Sequence, residues 1–328
     1  MDSKVDVDEL PKFRILMIHG FAGSDSEFRA KSSRIWERIN EVVTPDILDE
    51  FPGGIEFLHP NGTLVLEPPI GFGGEVDDED DKGNLKGTMM GDDSVLGFMG
   101  WWYGRDTVSR YRGVEASLSY IARFIYGRPI HAIIGFSQGA CLAGMIASLL
   151  DCDNNPEKVA AIRAQDLPID DFLNLPGQES IRFFIGMGGY RGTLKYYGSL
   201  YQWPIDVPSC HTLANFDAIV KPFQTMDLAH CFTSCEIIRY YGSHYVPRDR
   251  ISVESLANFA LRNSCRESTS SRFPPVASTT SQSDTDETQT VSSGRSQALA
   301  AFPVWTRSRK INVTRSRRLR PMLSRRFM

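Results

Sequence analysis

Short apolar runs alternate with segments of helical periodicity along most of the chain. The run at residues 13–18 predicts a buried strand, and the apolar positions spaced through 28–40 predict a helix after it. A second short strand is predicted at 55–58. The alternation continues to residue 262, with strands predicted at 131–134, 181–187, 210–214 and 235–240, and helices at 113–126, 140–150, 222–232 and 250–262. This order predicts an α/β fold with a mostly parallel, doubly wound sheet and helices on both faces.

Two stretches interrupt the alternation. Residues 67–93 are rich in glycine and acid, with six carboxylates between 75 and 81, and predict a flexible surface loop inserted in the domain. Beyond residue 265, Ser, Thr, Arg and Pro dominate without apolar periodicity, so 265–328 is predicted to be a disordered tail. The expected organisation is an N-terminal extension at 1–11, one α/β domain at 12–264, and the tail.

Charge divides the chain in the same way. The residues after 265 carry a net charge of +8 and those before carry −12, which together give the overall −4. A basic segment such as 305–328 is typical of nucleic-acid or anionic-membrane binding or of a nuclear import signal. We favour a plain appendage or a mispredicted gene end, so neither nucleic acid nor membrane is expected as a partner.

The remaining composition narrows the class of protein. With 41% hydrophobic and 23% charged residues the chain is typical of globular proteins, and its apolar runs are far shorter than the roughly 18 residues of a membrane span. The acidic N-terminus lacks the regions of a secretory signal, and the six cysteines show no paired CxxC pattern, which favours a cytoplasmic protein with free thiols. Phosphate-loop and zinc-helix motifs are missing from the sequence, so no cofactor or metal is expected.

The sharpest motif is Gly-Phe-Ser-Gln-Gly at 135–139, placed between a predicted strand and a predicted helix. In that context G-x-S-x-G predicts a nucleophile elbow, in which Ser137 stands on a tight turn at the edge of an α/β-hydrolase sheet. The glycines are needed because side chains at 135 and 139 would collide with the neighbouring backbone. Ser137 also begins a helix, where the free N–H groups favour developing negative charge.

A catalytic serine needs a base and an acid, which α/β-hydrolases supply later in the chain. His211 falls in a predicted strand and His230 in a predicted helix, whereas His244 lies in a glycine-containing loop, which favours it as the base. Asp217 directly follows a predicted strand and is preferred as the acid. The other acids considered are Asp206, which precedes that strand, and Asp227, which lies within a helix.

Backbone N–H groups of Gln138 and Phe21 are predicted to form the oxyanion hole, because one follows the nucleophile and the other lies in the loop after the first strand. His19, in that same loop, is expected to shape the turn rather than to act as a base. Three aromatic residues are candidates for an acyl pocket, although such clusters also belong to cores: Trp101, Trp102 and Tyr103.

Together these segments resemble the FSH family of fungal serine hydrolases over residues 12–262. The resemblance rests on five motifs: His19-Gly-Phe21 with Phe28-Arg29, Gly100-Trp-Trp102, Ile134-Gly-Phe-Ser-Gln-Gly-Ala140, Asn215-Phe-Asp-Ala218 and Gly242-Ser-His-Tyr-Val-Pro247. It implies an α/β-hydrolase fold and agrees with Ser137, Asp217 and His244 as a triad. Members include lovastatin-type thioesterases that release polyketides, and small cytosolic esterases related to the ovarian-cancer-associated hydrolase.

The expected function is hydrolysis of an acyl ester or thioester through an acyl-enzyme. The resemblance implies release of a polyketide in fungal secondary metabolism, with a carrier-bound acyl thioester as substrate and the acyl-carrier domain of a polyketide synthase as a partner. The alternatives are a general carboxylesterase for small esters and, less favoured, a hydrolase-fold binding protein without activity.

Overall fold

A computed structural model describes residues 10–66, 87–89, 98–104, 110–152, 155–192, 195–265 and 312–315. The strands are β1 Phe13–Ile18, β2 Ile55–Leu58, β3 Leu64–Leu66, β4 Gly87–Met89, β5 Phe98–Gly100, β6 Ala132–Phe136, β7 Phe183–Met187, β8 Ile205–Ala214, β9 Phe232–Tyr240 and β10 Asn312–Arg315. The helices are α1 Asp25–Lys31, α2 Ser33–Glu41, α3 Pro45–Glu50, α4 Val114–Ile125, α5 Gln138–Leu150, α6 Pro156–Arg163, α7 Ile169–Leu173, α8 Pro222–Ala229 and α9 Arg250–Ser264, with a 3-10 helix at Lys195–Tyr201.

Seven strands form one sheet in the order β10-β9-β8-β7-β6-β1-β2. Each pairing in this sheet is parallel. The central strands β1, β6 and β7 are nearly continuous apolar runs, which is typical of parallel strands covered on both faces. Because all strands run the same way, their carboxyl ends meet at one edge, where the loops after β1, β6, β8 and β9 gather.

The core consists of two layers, one on each face of the sheet. Side chains alternate along β1, so that Phe13, Ile15 and Met17 face a layer formed with α1, α2, α3 and α9. Leu16 and Ile18 face the other layer, formed with α4, α5, α6 and α7. The prediction of a doubly wound parallel sheet with helices on both faces is confirmed.

Helix α5 is buried along its whole length, which explains its composition. All thirteen residues from Gln138 to Leu150 are buried, and glycine or alanine occupies positions 139, 140, 143, 144 and 147. These small residues let the helix approach the sheet closely. A helix that is apolar all round belongs in an interior, and this one carries the first residue after the predicted nucleophile.

Local structure differs from the sequence predictions in the first helical segment. The helix predicted at 28–40 is two helices, α1 and α2, which meet at Ser32. The Ser32 hydroxyl donates a hydrogen bond to the Phe28 carbonyl at 2.6 Å, and Ser32 has φ −93° and ψ 4°. A serine side chain competes with helical hydrogen bonding in this way. The spacing of the apolar residues does not indicate the break at Ser32.

Two segments predicted to be irregular contain strands. Within the 67–93 insertion, β4 pairs antiparallel with β3, and β3 pairs with β5, in a small three-stranded sheet. Within the tail predicted to be disordered, β10 pairs with β9 at Glu236–Arg239. Val313 and Thr314 are β-branched and suit an edge strand, a preference that a search for apolar periodicity does not detect. The rest of both segments, and residues 1–9 of the predicted N-terminal extension, lie outside the described residues.

Candidate active site

Ser137 lies on a strained turn between β6 and α5. It has φ 53° and ψ −121°, a conformation that residues with a side chain seldom adopt. A Cβ at Gly135 would lie 2.6 Å from Ala140 Cα, and one at Gly139 would overlap the carbonyl oxygen of His19. The predicted collision of side chains at 135 and 139 is therefore present, and the turn has the form of a nucleophile elbow.

Asp217 and His244 lie beside Ser137, as their positions in the sequence predict. His244 Nε2 is 2.8 Å from Ser137 Oγ, and His244 Nδ1 is 2.7 Å from Asp217 Oδ2. The imidazole packs against the Phe136 ring at 4.9 Å and against Gly188, where a Cβ would lie 3.3 Å from two ring atoms. The three side chains form one hydrogen-bonded chain that crosses the loops after β6, β8 and β9.

The Asp217 carboxylate is fixed in orientation by its own loop. Its Oδ1 accepts hydrogen bonds from the backbone N–H groups of Ile219 at 2.9 Å and Val220 at 2.8 Å, which leaves Oδ2 for His244. The side chains of Asp217 and His244 are 4% and 11% exposed, so water screens their interaction little. With Nδ1–H donating to the carboxylate, Nε2 can accept the proton of Ser137.

The other acids and bases that the sequence offered lie elsewhere. His211 is fully buried in β8, where burial lowers its pKa to about 3, and His230 is exposed directly after α8. Asp227 is within α8, and Asp206 is the second residue of β8 rather than a residue before the strand; its carboxylate accepts a hydrogen bond from the Thr233 hydroxyl. Ser137 Oγ has its hydrogen bond with His244 Nε2 and not with any of these four side chains.

The two residues predicted for the oxyanion hole lie on either side of Ser137. Gln138 is the first residue of α5, so its backbone N–H has no acceptor within the helix. Phe21 follows Gly20, and a Cβ at Gly20 would lie 3.2 Å from Ser137 Cβ, so this loop lies directly against the elbow. The Phe21 side chain is exposed.

The aromatic cluster predicted to line an acyl pocket lies mainly in the core. Trp101 and Trp102 are 0% and 1% exposed and belong to the core layer that contains α4 and α5. Trp102 stacks on Tyr111 at 5.3 Å, and the Trp101 indole donates to the His19 carbonyl at 2.8 Å. These two are core residues because their rings have packing partners on the inside of the protein; Tyr103 is half-buried.

Exposed aromatic residues that the sequence analysis did not single out lie on the loops of Asp217 and His244. Phe216, Tyr241 and Tyr245 are 59%, 77% and 41% exposed, and the rings of Phe216 and Tyr241 meet edge to face at 4.9 Å. Each is within three residues of Asp217 or His244. That adjacency in the sequence was the available signal for an apolar surface beside the site.

Two searches of the described residues have negative results. In the part of the chain that the structure describes, no three His, Cys, Asp or Glu side chains group in a way that could hold a metal ion. Among the same residues, no helix is both long and apolar enough to cross a membrane.

Comparison with known proteins gives several relatives that are named serine hydrolases or esterases. "Family of serine hydrolases 2" of Saccharomyces cerevisiae is 24% identical over 254 residues, which is 75% of this chain and 96% of that protein. "Esterase OVCA2" of Xenopus tropicalis is 24% identical over 71% of this chain and 86% of its own length. Among solved structures, Zea mays acyl-protein thioesterase 2 is 15% identical with a TM-score of 0.46, covering 80% of this chain and 97% of that chain.

A family match covers most of the chain. Residues 9–256 match the family described as Serine hydrolase (FSH1), a span that contains Ser137, Asp217 and His244. The resemblance to this family is therefore confirmed, as is the α/β-hydrolase fold, with its parallel sheet and its serine on the turn between β6 and α5. The chain is a serine hydrolase, and it belongs to the FSH1 family.

Proposed function

We propose that the chain hydrolyses an acyl ester or thioester with Ser137 as nucleophile, His244 as general base and Asp217 as the residue that orients His244. The observation that carries this proposal is the hydrogen-bonded chain from Ser137 Oγ through His244 to Asp217 at the elbow. Removal of any one member of such a unit is expected to stop the others from working.

In the first half of the proposed reaction, Ser137 Oγ attacks the substrate carbonyl carbon while its proton moves to His244 Nε2. The carbonyl oxygen becomes an oxyanion, held by the backbone N–H groups of Gln138 and Phe21. Collapse of this intermediate breaks the bond to the leaving alcohol or thiol, which takes the proton from His244. The acyl group is then an ester of Ser137.

In the second half, water attacks that ester and gives its proton to His244 Nε2. Collapse returns this proton to Ser137 Oγ and releases the carboxylic acid. Asp217 stays ionised throughout; it fixes the imidazole tautomer and stabilises the imidazolium that forms twice in each cycle.

Release of a polyketide is the narrower form of this proposal. It is supported by the resemblance to polyketide-releasing thioesterases and implies a carrier-bound acyl thioester, presented by an acyl-carrier domain. The aromatic residues Phe216, Tyr241 and Tyr245 offer an apolar surface for such an acyl chain, but they suit a small acyl ester equally well. The cytoplasmic location remains a prediction from the sequence.

Two measurements test the proposal. A fluorophosphonate probe is expected to label the wild type at Ser137, and Ser137→Ala is expected to abolish labelling and lower kcat by about 10⁴-fold or more. Ser243→Ala, an exposed serine beside His244, is the matched control and should keep both. Labelling and turnover that persist in Ser137→Ala would overturn the assignment, and a wild type with neither would favour a binding protein.

Substrate class is tested with the same variants. Nitrophenyl esters of graded acyl length are compared with acyl thioesters on an acyl-carrier protein. A kcat/KM at least 10-fold higher for carrier-bound thioesters supports polyketide release. A preference for short free esters instead supports the general carboxylesterase.

A further inference from the structure

The oxyanion hole of the proposed mechanism joins two separate parts of the chain. One N–H belongs to Gln138 at the start of α5 and the other to Phe21 in the loop after β1. An oxyanion hole works only when its donors are held about 3 Å from the oxygen in the transition state, before the reaction begins. Some contact must therefore hold these two segments at a fixed separation.

The side chain of Gln138 makes one half of such a contact. Its Oε1 accepts a hydrogen bond from the Trp101 backbone N–H at 3.0 Å, and its Nε2 donates to the Trp102 carbonyl at 3.0 Å. The residue is 6% exposed, so water does not compete for these groups. The carboxamide thus clamps the segment after β5, and the clamped segment in turn limits how Gln138 can move.

Trp101 carries the connection to the other side of the hole. Its indole N–H donates to the His19 carbonyl at 2.8 Å, and its ring lies 4.9 Å from the His19 ring. The Ser117 hydroxyl donates to the Trp101 carbonyl at 2.5 Å, so the backbone of Trp101 is held at both its polar groups. His19 is two residues before Phe21.

His19 passes the constraint to the loop itself. Its Nε2 accepts a hydrogen bond from the Gly62 N–H at 2.8 Å, so Nδ1 carries the proton and donates to the Gly20 carbonyl at 2.7 Å. Burial lowers the pKa of His19 to about 4, which keeps the ring neutral and able to accept at neutral pH. The carbonyl of Gly20 is thereby fixed, and with it the peptide unit that supplies the N–H of Phe21.

We propose that the Gln138 side chain is a positioning residue: through Trp101 and His19 it sets the separation of the two oxyanion-hole donors. This inference rests on the proposed function, because it assigns a role within that oxyanion hole. It predicts that the clamp acts on the transition state and not on substrate binding, since the carbonyl becomes an oxyanion only as Ser137 attacks.

Gln178 provides a matched control in the same protein. Its Oε1 accepts from the Ile130 N–H at 2.9 Å, and its Nε2 donates to the Ile130 carbonyl at 2.8 Å and to the Glu179 carbonyl at 2.7 Å, so its carboxamide also clamps backbone. Ile130 precedes β6, whereas Ser137 follows it, so this second clamp lies roughly 15 Å or more away along the strand.

The test compares Gln138→Met with Gln178→Met, since methionine keeps the length and removes both hydrogen bonds. For Gln138→Met we expect kcat to fall about 10- to 100-fold, less than the 10² to 10³ for loss of a donor itself. KM should stay within about twofold, and an alkyl boronic acid, whose tetrahedral adduct on Ser137 places an oxygen in the hole, should bind more weakly by the same factor as kcat. Gln178→Met should lower only the melting temperature.

A second variant keeps the inference testable where Gln138→Met does not fold. In Gln138→Glu the ionised carboxylate still accepts from Trp101 but cannot donate to Trp102. The protonated carboxyl can both accept from Trp101 and donate to Trp102. The ratio of the kcat of Gln138→Glu to the wild-type kcat should therefore rise as the pH falls.

Three outcomes separate the possibilities. A lower melting temperature with unchanged kcat and boronate affinity in Gln138→Met, or a flat kcat ratio in Gln138→Glu, means that Gln138 is only structural. Equal losses of kcat in both glutamine variants lead to the same conclusion. A wild type without turnover or fluorophosphonate labelling overturns the proposed function, and the clamp falls with it.

Discussion

The two sides of Ser137 are built differently. On the side that contains the proposed triad partners Asp217 and His244, here called the triad side, the proposed functional groups are side chains on loops that meet through two hydrogen bonds. On the side that contains His19, Trp101 and Gln138, here called the oxyanion side, the proposed functional groups are backbone N–H groups, and buried side chains hold the backbone in place.

This difference determines what a substitution can reveal. On the triad side, asparagine can replace Asp217 without loss of packing and can keep the acceptor for the N–H groups of Ile219 and Val220, so a change in rate in that variant reports on chemistry. On the oxyanion side, the side chains that hold the backbone also belong to the core. Removing one of them leaves buried polar groups unpaired, and each unpaired group costs about 1–3 kcal/mol of folding stability. Rate and stability are therefore separable on one side of the serine and linked on the other.

The largest expected effect is on the triad side and is an effect on rate. Asp217→Asn and His244→Ala should each lower kcat by about 10⁴-fold, which corresponds to about 5.5 kcal/mol of lost transition-state stabilisation. Asn can keep the acceptor for the N–H groups of Ile219 and Val220, so the loop should retain its form. Steady-state kinetics and thermal melts of the same samples check both halves of the prediction.

The controls for this prediction are Asp227→Asn and His230→Ala. Both residues lie at α8, away from the contacts of Ser137, and their variants should keep turnover within a few fold. Loss of turnover in His230→Ala with retention in His244→Ala would contradict the triad. A fall of more than about 5 °C in the melting temperature of Asp217→Asn would instead contradict the separation of rate from stability.

The triad side is also the part of the site that the sequence predicted best. Ser137, Asp217 and His244 each follow a strand with a strong pattern, and carboxyl ends of parallel strands meet at one edge, so their proximity follows from the fold. β1 has the bounds that its apolar run predicts, because a strand buried on both faces is defined by that run. β2 also has its predicted bounds, although it is an edge strand and mostly half-buried.

The oxyanion side was less predictable for a physical reason. The aromatic pair Trp101 and Trp102 can face a pocket or the core, and only the partners decide: the His19 carbonyl for one indole and the Tyr111 ring for the other. The role of the Gln138 side chain depends on backbone groups 36 and 37 residues earlier in the chain. The pattern of residue types along the sequence does not predict such contacts between distant segments.

Acid should have the next largest effect, through buried histidines that include His19 on the oxyanion side. Burial lowers the folded-state pKa of His19 and of His59 to about 4 and that of His211 to about 3, below the value near 6.5 of an unfolded histidine. The stability that this difference contributes is complete above pH 6.5 and is lost as the pH falls from 6.5 towards 4, because the unfolded chain binds the proton first. At pH 5.5 the loss is about 1.4 kcal/mol per histidine.

Urea unfolding between pH 7.5 and 5.5 measures this loss of stability. A His211 variant shows how much of the loss comes from His211. His211 packs against the rings of Phe184 and Phe232, so leucine can replace its packing without its titration. In His211→Leu about two thirds of the pH dependence should remain, and that part belongs to His19 and His59. A slope that is unchanged in His211→Leu, or a stability that rises on acidification, would contradict the neutral buried histidines.

The smallest effect is expected far from both sides of the serine, at the outer edge of the sheet. Truncation after Cys265 removes β10, whose four residues pair with β9. Each hydrogen bond of such an edge contributes about 1 kcal/mol, and each ordered residue costs about 1–2 kcal/mol of backbone entropy, so the two nearly cancel. We expect kcat to be unchanged and the melting temperature to shift by less than about 3 °C. Because β9 leads directly to the loop of His244, a large loss of kcat at constant stability would show instead that this edge positions the triad side, which would then no longer be independent of the packing around it.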